Sequence, residues 1–171
     1  MAMSKLTRGF FAGVFAVAVI VLACTARSAR AAWSADPVTV TPTTAAIPVV
    51  EGCADGAYGS FAAWQEGSPT GILRAQHLLP TGDLDPAWPS AGTVACNVAV
   101  ARTELTALPD RLGGVYLLWK EGNSLYATHV GPNGAVASGW PARGRSLGGV
   151  LADSPRPSVI EDGANGFYAA W

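Results

Sequence analysis

Charge is scarce in this sequence. Lysine, arginine, aspartate and glutamate supply 13% of its 171 residues, about half the usual share of roughly 25%, which excludes a charged disordered tail and a coiled coil. Basic residues number 11 against 12 acidic ones, too balanced for a nucleic-acid binder. Histidine occurs twice and cysteine three times. No C-x-x-C pair, H-E-x-x-H or P-loop is present, so no metal or cofactor signature is found. No helical periodicity recurs, which sets aside helical solenoids. What the chain has in quantity is glycine (20) and proline (12), placed between short apolar runs, the pattern of turns between strands. An all-β fold is the expectation.

The first residues read as an address. Lys5 and Arg8 precede an unbroken apolar run from Phe10 to Cys24, short for a membrane span and normal for a signal-peptide core. Ala29-Arg30-Ala31 offers an A-x-A cleavage site. Residues 1–31 are therefore expected to be a secretory signal, with an uncleaved membrane anchor as the alternative. The destination is the periplasm, cell surface or exterior. Lys5, Arg8, Arg27 and Arg30 leave with the signal while all the acids stay, moving the net charge from −1 to −5. That charge discourages binding to anionic membranes or nucleic acid. Val21-Leu22-Ala23-Cys24 resembles a bacterial lipobox, so lipid on Cys24 is a second membrane route. Residues 32–47 read as a Thr/Pro/Ala-rich tether, with Pro37–Val40 as a candidate ring-closing strand.

Cys53 and Cys96 remain in the exported part. An even pair in an oxidising compartment suggests a disulfide, and the alternative is two small buried hydrophobes.

The strongest signal is an internal repeat. Residues from Leu73 align without a gap to residues from Leu125, a spacing of 52, matching His77 with His129, Trp88 with Trp140 and Gly92 with Gly144. A second pattern occurs three times: Asp55, Gly59, Trp64; Asp110, Gly114, Trp119; Asp162, Gly166, Trp171. Each unit reads as an aspartate-glycine turn, an aromatic and β-branched strand, a short turn, a partly alternating strand and a further tight turn. The units are placed at 48–92, 93–144 and 145–171, the third partial.

Four-strand units of this length are characteristic of β-propeller blades. The pattern D-G-x-x-G-x4-W, L-Y-A-x-H, W-P-x-x-G resembles repeats in secreted bacterial β-propeller proteins of mostly unassigned function. The resemblance covers about residues 48–171. It implies antiparallel blades, two full and one truncated, following the signal helix, and the N-terminal part of a longer chain. Kelch and WD signature dipeptides and the sialidase-type Asp-box are absent.

His77 and His129 share one repeat position, which favours a scaffold role over catalysis. Asp55, Asp110 and Asp162 sit beside glycine turns and are expected to bond nearby amides. No loop has the ligand density calcium needs, Asp83-Leu84-Asp85 coming closest. The repeated tryptophans are read as packing between blades, with sugar stacking as the alternative. The leading expectation is an exported non-catalytic binding or scaffold module for a protein or glycan. The alternative is part of a glycoside hydrolase or lyase, for which Glu66, Asp83, Asp85 and Glu121 are the loop carboxylates.

Overall fold

The computed structural model describes residues 37–151 and 153–171; the signal segment, Cys24 and the start of the tether lie outside the described residues. Every regular element described is a strand, and every pairing is antiparallel. The first sheet contains β1 (Val50–Ala54), β2 (Ser60–Glu66), β3 (Gly71–Leu78) and β4 (Thr93–Val100), in that order. The second repeats it with β5 (Thr103–Pro109), β6 (Val115–Glu121), β7 (Ser124–Val130) and β8 (Arg145–Gly149). A third, two-stranded sheet pairs β9 (Ser158–Glu161) with β10 (Phe167–Ala170). No closed ring is formed by these sheets, and Pro37–Val40 is not in a strand.

The unit boundaries expected at 92/93 and 144/145 are corrected by this topology. Val94–Val100 closes the first sheet against β3 instead of opening the second, and Arg145–Gly149 likewise closes the second against β7. The junction between the first two sheets is the two-residue link Ala101-Arg102.

The sheets stack face to face. Phe61, Ala63, Leu73 and Ala75 of the first sheet share one core with Leu105, Val115, Leu117 and Trp119 of the second. Tyr116, Leu118 and Ala127, on the opposite face of the second sheet, meet Val159, Phe167 and Ala169 of the third. The middle sheet is thus covered on both sides, which is why β6 reads as the continuous apolar run VYLLW. At the inner edge β1 lies beside β5 and β5 beside β9. Arg156 ties these edges together, reaching Glu51, the Thr106 hydroxyl and the Leu105 carbonyl.

Two side chains lock the first sheet to the second. Trp88 donates its indole N–H to the Pro132 carbonyl at 3.2 Å and lies flat under the Pro132-Asn133-Gly134 turn, so a Cβ on Gly134 would stand 2.9 Å from Trp88 Cγ. Arg102 is buried in the link. Its guanidinium donates to the carbonyls of Gly71 and Val98 and to Cys96 Sγ, its amide donates to Gln65 Oε1, and its charge rests 5.4 Å from the Trp119 ring centre.

The disulfide expected between Cys53 and Cys96 is absent; both are free. Cys53 lies on β1 and Cys96 on β4, opposite margins of one sheet. Three strand spacings separate them, about 14 Å, well beyond the reach of roughly 7 Å between bridged Cα atoms. Burial, with Glu51, Asp55 and Glu161 nearby, pushes the Cys53 thiol up to about 12, so it is a poor nucleophile at neutral pH.

Two outcomes follow. In the folded protein iodoacetamide at pH 7.5 leaves Cys53 and Cys96 unmodified, and in urea without reductant peptide mass spectrometry finds both alkylated. Gly139 and Gly134 both have positive φ, but a Cβ on Gly139 meets open space. Gly139→Ala is therefore expected to cost about 1 kcal/mol for the left-handed backbone. Gly134→Ala adds roughly 1–3 kcal/mol of overpacking against Trp88, measured by urea unfolding.

Candidate functional site

The first turn of each unit is built around one carboxylate. Asp55 Oδ1 accepts the amides of Ala57 at 2.6 Å and Gly59 at 2.8 Å. Asp110 Oδ1 does the same for Leu112 and Gly114, both at 2.7 Å, and Asp162 Oδ1 for Ala164 at 2.7 Å and Gly166 at 2.8 Å. The second and fourth residues of all three turns have positive φ: Gly56 and Tyr58, Arg111 and Gly113, Gly163 and Asn165. The fifth is glycine because the chain returns too close for a side chain. A Cβ on Gly59 would lie 2.4 Å from the Leu78 carbonyl oxygen, and one on Gly114 2.4 Å from that of Val130.

The second carboxylate oxygen faces a histidine on the third strand. His77 Nε2 stands 3.1 Å from Asp55 Oδ2, and His129 Nε2 2.7 Å from Asp110 Oδ2. Each imidazole stacks on the aromatic ring opposite it, His77 on Phe61 at 4.5 Å and His129 on Tyr116 at 4.2 Å between centres. Trp88 and Trp140 complete the two ring clusters.

The two histidines differ in what faces Nδ1. His77 Nδ1 also faces Asp85 Oδ2 at 2.7 Å, whereas Ala137 occupies the matching place in the second unit. The match is visible in the backbone, where the amides of Asp85 and Ala137 donate to the carbonyls of His77 and His129 at the same 2.9 Å. Ionised carboxylates only accept, so bonding both at once requires a proton on each nitrogen of His77. Burial pushes the Asp55 carboxyl up, but the Ala57 and Gly59 amides and the His77 ring outweigh it and hold it below the usual aspartate range. At Asp85 burial is likewise outweighed, by His77 and the Ala87 amide.

Beside this first turn the inner ends of the three sheets form a cleft of about 520 Å³, lined by Asp55, Gly56, Ala57, His77, Pro109, Arg111, Gly113 and Glu161. Arg111 and Glu161 form an ion pair across it. Neither has a charged counterpart in the other units: Arg111 matches Gly56 and Gly163, and Glu161 matches Ala54 and Pro109.

The four loop carboxylates are not brought together. Glu66, the last residue of β2, pairs with Arg74 of β3, and Glu121, the last of β6, pairs with Arg143 in the loop before β8. Asp83 accepts from the Thr81 hydroxyl at 2.8 Å, and Asp85 belongs to the histidine site. Of the repeated tryptophans, Trp64, Trp88 and Trp119 are buried, Trp140 is partly covered and Trp171 is exposed. Arg102, Arg111 and Glu161 belong to no sequence motif and emerge only from the structure. The only sequence signal for the last two was a charge at positions where the sister turns have none.

The depressed Asp55 and Asp85 carboxyls make stability depend on acid. The unfolded chain takes up protons near pH 4 that the folded chain refuses, so their contribution is complete above that value and lost as pH falls through the folded values. Urea midpoints are expected to drop as pH falls below about 4. In Asp85→Ala, which copies the second unit, the acid-sensitive loss is expected to be smaller. Comparison with protein-family models, with curated proteins and with solved structures finds no match to this chain.

Proposed function

We propose that the chain is an exported, β-propeller-like module that binds without catalysing, and that the cleft between its aspartate turns holds a protein or glycan ligand. The observation that carries this reading is the division of labour among the polar groups. The repeated aspartates and histidines are committed to backbone amides and to one another. The charges found once, Arg111 and Glu161, converge on the cleft. Face-to-face antiparallel sheets with adjacent first strands support the propeller-like arrangement. Glycoside hydrolysis needs two carboxyl groups, one kept protonated by a raised pKa. Asp55 is instead held ionised, and Glu161 faces an arginine.

Arg111 has φ 63 where the sister turns have glycine, so Arg111→Gly relieves backbone strain and removes a cleft charge together. A glycan array and a panel of surface proteins, probed with the full chain, are expected to yield a ligand whose affinity falls about tenfold in Arg111→Gly, the size expected for one charge-assisted contact. The urea midpoint stays level or rises. Release of reducing sugar from a polysaccharide panel, lost in Glu161→Gln, overturns the reading.

A further inference from the structure

Two of the aspartate turns carry a side chain where the backbone favours none. The fourth position of each turn has positive φ, and it is filled by Gly113 in the second turn, Asn165 in the third and Tyr58, at φ 74, in the first. Glycine and asparagine accept this left-handed conformation, whereas for a bulky side chain it is an outlier. Tyr58 gains no packing in exchange, since it is 85% exposed. Arg111 is the parallel case, with φ 63 where Gly56 and Gly163 stand in the sister turns. The exposure belongs to the turns themselves. Leu112, in the middle turn, is 62% exposed although its sheet is covered on both faces. Strained residues of this kind cluster at ligand clamps. Residues 55–57 line the cleft and Tyr58 follows them directly, at its rim, while Arg111 and Gly113 line it from the next turn.

We infer that Tyr58 is the stacking platform of the cleft and that the ligand is a neutral oligosaccharide, an inference that rests on the binding role given to the cleft above. One pyranose ring lays its C–H face on the phenol, and hydroxyls of the neighbouring ring donate to Glu161 and accept from Arg111. The charges that line the cleft cancel in pairs, Asp55 with His77 and Arg111 with Glu161. An acidic ligand is repelled by Glu161 and a basic one by Arg111. A hydroxyl both donates and accepts, and so satisfies the two together. Size points the same way. The volume of about 520 Å³ lies in the range of small-ligand sites, roughly 300–1,000 Å³, while a stable protein partner needs about 800 Å² of surface on each side. Tyrosine suits the role because its ring offers a broad, stiff surface with only two rotatable bonds, and the turn fixes its backbone before the ligand arrives.

The probes are cellohexaose, maltohexaose and mannohexaose, with hexagalacturonate as the acidic control, each titrated calorimetrically into the full chain. At least one neutral hexaose is expected to bind saturably, with its ring C–H protons moved upfield in proton NMR by the phenol face. Tyr58→Gly, which copies the second turn, weakens that binding about tenfold, while the urea midpoint stays level or rises as the strain is relieved. Tyr58→Phe keeps the ring and holds affinity within about twofold. Arg111→Gly weakens the same sugar. Binding unaffected by Tyr58→Gly, binding of hexagalacturonate alone, or no binding by any neutral hexaose each overturns the inference. A surface protein whose binding is lost in Arg111→Gly and kept in Tyr58→Gly also overturns it and leaves the cleft standing as a binding site. A neutral hexaose weakened by Tyr58→Gly and indifferent to Arg111→Gly lies outside the cleft and overturns both readings.

Discussion

One ionised carboxylate per unit organises its surroundings. Asp55, Asp110 and Asp162 each gather two amides of their own turn. Those bonds hold two residues per turn at positive φ and bring the fifth residue against the third strand. In the first two units the oxygen left over then fixes the histidine, and the histidine stacks on the aromatic ring that faces the next sheet. A chain with so few charges spends several of them on this single device. Local turn geometry, strand pairing and the packing between sheets are consecutive consequences of the same side chain.

Much of this was legible in the sequence. The offset from Asp55 to Gly59 and Trp64, repeated from Asp110 and Asp162, marked turns that open strands, and glycine and proline between apolar runs marked an all-β chain. The sheet boundaries were not legible. Val94–Val100 looks alike as the last strand of one sheet or the first of the next, and periodicity does not name a neighbour. Parity of cysteines suggested a bridge, but only topology shows that Cys53 and Cys96 stand on opposite margins. The pairing of His77 with Asp85 was hidden because the repeat replaces that acid by Ala137. Arg111 and Glu161 are fifty residues apart, and nothing in their local sequence indicates that they meet.

The three sheets are alike in topology and unequal in environment. The middle one has no solvent face, since Val115, Leu117 and Trp119 meet the first sheet and Tyr116 and Leu118 the third. Its stability therefore depends on both neighbours, as in repeat proteins where interfaces couple adjacent units. Among the described residues, each outer sheet has another sheet packed on one face only. The polar positions that break the repeat, Asp85, Arg111 and Glu161, lie around the first turn and its cleft, so the units are equivalent as scaffold and distinct as surface.

The link at Ala101-Arg102 has a mechanical meaning. Arg102 is clamped to Gly71, Val98, Gln65 and Cys96 of the first sheet, while its charge rests on Trp119 of the second. So short a joint behaves as a bracket and not as a hinge. It sets the angle at which the second sheet leaves the first, and every later sheet is carried on that angle. A small rotation at this joint would swing the Asp110 turn relative to the Asp55 turn, with the rest of the chain acting as a lever arm. The width of the cleft between those turns is thus governed from a residue that does not line it.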